Sequence, residues 1–267
     1  MFLHREHDPS GPYLIPQTSH SWLAWQIAEH WGNRRFARPS PRAEVLAAVL
    51  MHDSGWVEYD AVPSLDEHGR PRTFDRMEVG PHLDIWRRCV HHALFVSRYS
   101  ALLVASHFAS LAELKTKDLL DRGDTVSARS VQVFRAEMER LQAGWEEALS
   151  ADPRYSPSLR GPGREANATL LASCDLASVQ LCAGRDEGFT AWAVNPSGST
   201  EEIAFERVGK AVWRLTPWPL EGERIRLQVE GRRLAELRFD SQDRLLAALQ
   251  SAPVVRLSFT LQRPSAR

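Results

Sequence analysis

The run Val45-Leu46-Ala47-Ala48-Val49-Leu50-Met51-His52-Asp53-Ser54-Gly55-Trp56 reads as an apolar helix that ends in a histidine and an aspartate. Val45, Leu46, Val49, His52 and Asp53 recur at the three-to-four-residue spacing of one helical face. The polar pair therefore falls on the buried side, at the C-terminal end. Upstream, Ser40-Pro41 offers an N-cap followed by proline at the first helical position, and Gly55 is expected to end the helix. An imidazole or carboxylate on a buried face needs a partner, because burying it bare costs several kcal/mol.

Working outward, the same pattern recurs. Around residues 18–31 the stripe is His20, Leu23, Ala24, Ile27 and Trp31, closed by Gly32. After Pro81 it is His82, Ile85, Trp86, Cys89 and Ala93. Around 98–115 it is Ser100, Leu103, Val104, His107 and Leu111, and near 166–182 it is Leu171, Ala172, Asp175, Ser178, Val179 and Cys182. A long amphipathic helix over about 125–149 carries Val131, Phe134, Met138, Leu141 and Trp145 but no imidazole. Five helices thus each bring His or Asp to an apolar stripe. Imidazole with carboxylate suits one or two divalent transition metals: Fe, Mn, Zn, Co or Ni. On a helix His52 and Asp53 point about 100° apart, so both reach one site only from its shared edge. His91 and His92 compete with His82 for its place. His91 lies on the opposite side of that helix, and both are expected in solvent, as are His4, His7, His30 and His68.

The order His20 … His52-Asp53 … His82 … His107 … Asp175, with spacings of 32, 29, 25 and 68 residues, resembles the HD superfamily of metal-dependent phosphohydrolases. More narrowly, Gln17-Thr18-Ser19-His20, His52-Asp53-Ser54-Gly55-Trp56, Gly69-Arg70-Pro71, Ala101-Leu102-Leu103-Val104-Ala105-Ser106-His107 and Cys174-Asp175-Leu176-Ala177-Ser178 resemble a bacterial family known only as an uncharacterised domain. The first resemblance implies a mainly α fold: an HD-type helical metal-binding domain over 1–185 with a short N-terminal hairpin. A β-rich region over 186–267 would pack on that core. It also implies a hydrolase of a small phosphorylated substrate, with His20, His52, Asp53 and Asp175 on one metal. His82 and His107, with Asp53 bridging, would hold a second. Two other functions stand beside it: a di-iron oxygenase, which shares these ligand types, and a non-catalytic sensor or binding module that keeps the helical core.

Between the helices, residues 54–79 read as a long irregular stretch, a length that is uncommon without a function. Trp56 and Phe74 either wall a substrate pocket or anchor this loop. Arg70 and Arg72 either bind a phosphate or carboxylate or stay in solvent. Arg34, Arg35, Arg38 and Arg42 read as a solvated face, and Trp22, Trp25 and Trp31 as core rather than a base-stacking platform. Residues 2–6 and 12–16 are expected to be short strands joined by a turn at His7-Asp8-Pro9-Ser10-Gly11. Period-two alternation in Ile225-Arg226-Leu227-Gln228-Val229 and Val255-Arg256-Leu257-Ser258-Phe259-Thr260-Leu261 marks half-buried strands, with a short helix from Ser241 to Gln250 between them.

With 267 residues, of which 43% are hydrophobic, the chain can bury a large core. A net charge of −1 argues against bulk nucleic-acid binding and leaves a small molecule as the expected partner. No apolar run is long enough to span a bilayer, no signal-peptide pattern opens the sequence, and Cys89, Cys174 and Cys182 form no CxxC pair and read as small buried residues. These features lead to the expectation of a cytoplasmic protein. No Walker A motif, GxGxxG, GxSxG or HExxH occurs, so no nucleotide cofactor is expected.

Overall fold

The computed structural model describes residues 3–5 and 11–264. The chain begins with strands β1 (Leu3–Arg5) and β2 (Tyr13–Ile15), which pair antiparallel. The turn expected at His7–Gly11 and the site of His7 lie outside the described residues, save for Gly11.

Helices α1 (Gln17–Glu29) and α2 (Arg42–Met51) follow. The first ends before Trp31, which instead forms a bridge with Leu220. Gly32, at φ +101°, is required here, since a Cβ would lie 2.5 Å from the Arg38 side chain. Pro41 itself occupies the N-cap of α2. Ser40 does not cap; its backbone is held by the Asn167 side chain, which donates to its carbonyl at 2.6 Å.

The stretch expected to be irregular contains a 3₁₀ turn at Ser54–Trp56, the short helix α3 (Val57–Ala61) and a second 3₁₀ turn at Phe74–Arg76. Helices α4 (Val79–Val96) and α5 (Arg98–Asp121) are separated by Ser97, whose hydroxyl caps α5 by accepting from the Ser100 amide. Tyr99 to Ala105 are buried without interruption, so the first half of α5 is the central helix. Helix α6 (Thr125–Ser150) returns along it, capped by Asp124. Its inner stripe turns from Met138 to Gln142, which binds Arg164, while Leu141 is exposed. The short α7 (Ser156–Leu159) leads into α8 (Gly163–Ala183), which ends on Gly184 in the left-handed conformation.

The remaining elements are β3 (Phe189–Val194), β4 (Thr200–Gly209), β5 (Val212–Thr216), β6 (Arg224–Arg233), α9 (Gln242–Ser251) and β7 (Val254–Gln262). All strands join one seven-stranded mixed sheet in the order β1-β2-β6-β7-β5-β4-β3. Among the described residues, only β5 and β7 run parallel.

This sheet overturns the expected fold class. The N-terminal strands are not a hairpin on a helical domain: Tyr13 and Leu14 pair with Arg233 and Arg232. The architecture is α+β, a helical layer laid on one sheet built from both ends of the chain. Leu23, Ile27 and Leu170 from the helices share one core with Ala191, Ile203, Leu227 and Phe259 from the strands. Polar clamps fix the layers. Gln26 makes two hydrogen bonds to the backbone of Gln228, at 2.8 and 3.0 Å. The Ser173 hydroxyl donates to the Trp192 carbonyl and accepts from its amide. No helix among the described residues is long and apolar enough to cross a membrane.

Candidate metal centre

His20 lies in the first half of α1, His52 caps the end of α2, Asp53 begins the following 3₁₀ turn, His107 is in α5 and Asp175 in α8. The structure brings these five together. His20 Nε2 lies 2.7 Å from Asp53 Oδ2, His52 Nε2 3.2 Å from Asp175 Oδ1, and His107 Nε2 3.3 Å from Asp175 Oδ2. One ligand atom each from His20, His52 and Asp175 falls within 4.8 Å of the others. The three imidazoles are almost wholly buried; Asp175, with 17% of its side chain accessible, forms the solvent edge.

The close fit depends on Gly55. A Cβ there would lie 2.5 Å from the Ile85 carbonyl and 2.9 Å from Cys89 Sγ. Its amide donates to that sulfur at 3.2 Å. Gly55 thus lets the turn carrying Asp53 press onto α4, a different task from ending a helix.

The hydrogen bonds fix where the protons of the cluster sit. His52 Nδ1 faces only the Val49 carbonyl, at 2.6 Å, so this nitrogen carries the proton. In the neutral ring Nε2 then points a lone pair at the Asp175 carboxylate, an acceptor facing an acceptor. The Ser178 hydroxyl donates to the Asp175 carbonyl at 2.8 Å and so accepts from His20 Nδ1 at 2.9 Å. His20 Nε2 is left facing Asp53 in the same way. Each contact needs a cation between its partners, either a proton or a metal ion. Imidazoles whose Nδ1–H is tied to protein oxygens and whose Nε2 converges on carboxylates are the usual preparation for metal ligation.

Without a metal, the proton is held firmly. Burial by itself lowers the His52 pKa, but the Asp53 carboxylate and then Asp175 outweigh it and raise the value to about 9. Burial pushes Asp53 up, and His52 and His20 more than reverse it, so its carboxyl titrates below the usual range. Asp175 is likewise driven well below that range, by hydrogen bonds from His107 and His52 acting against burial.

His82 stands apart. It is buried on α4 between Trp56 and Trp86, with ring centroids 5.2 and 4.6 Å away, and its Nδ1 has no hydrogen-bond partner. Burial, then the charge of Lys115, lowers its pKa to about 3, so the ring is neutral. Trp56 is buried against it, whereas Phe74 packs half-buried on the main core. Arg70 and Arg72 sit in a small hairpin closed by the Leu65–Pro71 bridge. The Arg70 amide donates to Asp66, and the Arg72 guanidinium donates to the Leu65 carbonyl at 3.2 Å. His91 is exposed, but His92 is half-buried and bonded to the Ser54 hydroxyl at 3.2 Å. Trp22 is exposed rather than core, stacked on Trp25 beside a cleft of about 380 Å³ lined by Thr18, Ser19, Gln228, Glu230 and Arg256.

Reading the sequence missed three participants. Ser178 was visible on its stripe, but nothing local shows that its hydroxyl reaches His20. Gln17 lies one helical turn before His20 on the same buried face. Asp60, in α3, accepts from the Gln17 amide at 2.7 Å. Burial, reinforced by the nearby Asp53 charge, raises the Asp60 pKa to about 6.

A family described as Protein of unknown function (DUF3891) matches residues 2–236. No curated protein and no solved structure matches the chain.

Proposed function

From the premise that the chain belongs to the DUF3891 family, whose description carries no activity, we propose that it is a metal-dependent hydrolase of a small phosphate ester, with its metal held by His20, His52, Asp53 and Asp175. The observation that carries this reading is the pair of acceptor-to-acceptor contacts, His52 Nε2 on Asp175 and His20 Nε2 on Asp53. The order of these residues along the chain, similar to the ligand order of the HD superfamily, supports it. That similarity concerns the ligands and not the fold.

A bound divalent metal supplies Lewis acidity toward a water and an ester oxygen. The chain's own groups do the rest. Ser178 and the Val49 carbonyl fix the ring orientations of His20 and His52. Asp175, on the solvent edge, is shared with His107, so His107 holds the carboxylate in place and stands ready as a further ligand. Asp53, ionised at neutral pH, can accept a proton from an attacking water. In the net reaction water adds to phosphorus, the ester P–O bond breaks, and the alcohol leaves with a proton. Arg72 already donates to its own loop, and no step is assigned to it.

Metal content by mass spectrometry, on protein purified without chelator, tests the centre. One or two Fe, Mn, Zn, Co or Ni ions per chain are expected, and they should be lost in His52→Ala and Asp53→Ala. The loaded protein should hydrolyse p-nitrophenyl phosphate. Protein that neither carries nor takes up metal ends this reading. Iron with O2-dependent turnover and no phosphatase activity replaces the hydrolase with an oxygenase.

A further inference from the structure

Trp22 lies on the solvent side of α1 and is 46% exposed, yet its ring is not free to swing. It stacks on Trp25, with centroids 4.8 Å apart and planes 9° from parallel, and Trp25 packs against the main core. The indole is thus fixed on a support while nearly half of it stays in solvent, along the wall of a cleft of about 380 Å³. The opposite wall comes from the sheet. Gln228 and Glu230 of β6 alternate with the buried Leu227 and Val229, so they share the outward face. Arg256 of β7 is the register partner of Glu230, and its guanidinium donates to that carboxylate at 3.0 Å. Gln26 holds this wall against α1 through the backbone of Gln228. Thr18 and Ser19 complete the lining. Neither of their hydroxyls, nor the Gln228 side-chain amide, bonds another described residue.

The cleft therefore offers one aromatic platform, no net charge and polar groups of both senses. Glu230 and Arg256 cancel each other, which favours neither an anion nor a cation. Their bond uses one carboxylate oxygen and one guanidinium nitrogen, so further acceptor and donor sites remain on both. Gln228 and the two hydroxyls each donate and accept. The matching ligand is neutral, polar around its rim and apolar on one broad face. A sugar ring has this chemistry: every hydroxyl both donates and accepts, and its C–H bonds form a face that can cover an aromatic ring. We propose that the cleft binds a neutral saccharide, one ring of which stacks on Trp22 while its hydroxyls bond Glu230, Arg256, Gln228, Thr18 and Ser19. The volume lies within the range of small-molecule sites. A nucleotide would bring its phosphate to a guanidinium already neutralised by Glu230, and a fatty chain would leave the polar rim unpaired. The cleft lies on the side of α1 away from the buried His20, so its occupant depends neither on a metal nor on the proposed function.

Saturation-transfer NMR on the full chain, with and without added metal, tests this with maltotriose, cellotriose, chitotriose and lactose as probes and uridine as a stacking control. At least one sugar should bind with a Kd of about 1 mM or tighter, equally in both preparations, with the strongest transfer to the ring C–H protons of one unit. Trp22→Ala should weaken that binding about tenfold or more, while Trp22→Tyr, which keeps an aromatic face, should retain much of it. Both variants should keep the wild-type melting curve and metal content, so a loss of binding is not a loss of fold. Failure of all four sugars to bind at up to about 10 mM overturns the inference. So does an affinity unchanged in Trp22→Ala, or uridine bound as tightly as the best sugar. Sugar binding that disappears when metal is stripped also overturns it, because the sugar would then be held at the metal centre and not in this cleft.

Discussion

Metal binding should compete with a proton on His52, and the structure sets the size of the competition. The ligand form of His52 is the neutral ring, with Nδ1–H on Val49 and Nε2 free. In the metal-free protein that ring is protonated up to about pH 9. Each pH unit below this value reduces the competent fraction tenfold. At pH 7 the apparent affinity should therefore sit about a hundredfold below its limit, equivalent to about 2.7 kcal/mol. Asp53 and Asp175 titrate below the usual carboxylate range, so they stay ionised and add no slope in this window. Co²⁺ is a suitable probe, read by its visible absorption in non-chelating buffers between about pH 6.5 and 8.5. The logarithm of affinity should climb with a slope of at least one, and at least one proton, that of His52, should be released per ion at the low end. An affinity that is flat across this range refutes the reasoning, because no proton is then displaced from His52.

The same linkage governs the metal-free protein. The His52 pKa is raised above its ordinary 6.5, so its contribution to stability is full below about pH 6.5 and lost as pH rises through about 9; thermal melting with and without metal should show this loss only without it. Gly55→Ala should destabilise by about 1–3 kcal/mol, because its Cβ meets the Ile85 backbone and not a side chain that can swing away; denaturant melts with an unchanged midpoint would contradict it. Ser178→Ala should leave the fold intact and weaken metal binding about tenfold or more by freeing the His20 ring. His82→Phe should retain the metal held by His20, His52, Asp53 and Asp175 and change stability by no more than about 1 kcal/mol, since it removes an atom that already lacks a partner; loss of all metal in that variant would place His82 in the centre after all.

Much of the centre was legible because helical periodicity is local. The stripes through His20, His52, His107 and Asp175 each name the residue that faces inward, and the helices form where that spacing runs. The same spacing misleads where facing inward is not enough. His82 lies on as good a stripe as His107, yet its ring lodges between Trp56 and Trp86. The stripe specifies a direction around the helix but not which neighbour lies at its end. Leu141 shows the complementary error: an apolar residue near the stripe yields its inward place to Gln142, because Arg164 of α8 is there to bind it.

By itself the sequence determined the long helices, the alternating strands β6 and β7, and which polar residues lie on inward stripes, since each is written in spacings of two to four residues; the short helices α3 and α7 carry no such stripe. Only the tertiary structure decided that β1 and β2 pair into the C-terminal sheet, that Ser178 and Asp60 reach residues far away in the chain, and that His82 stays out of the cluster. Strand pairing such as Tyr13 with Arg233 joins segments whose separation leaves no periodic trace. Such contacts are settled by which faces remain to be buried once the helices have packed.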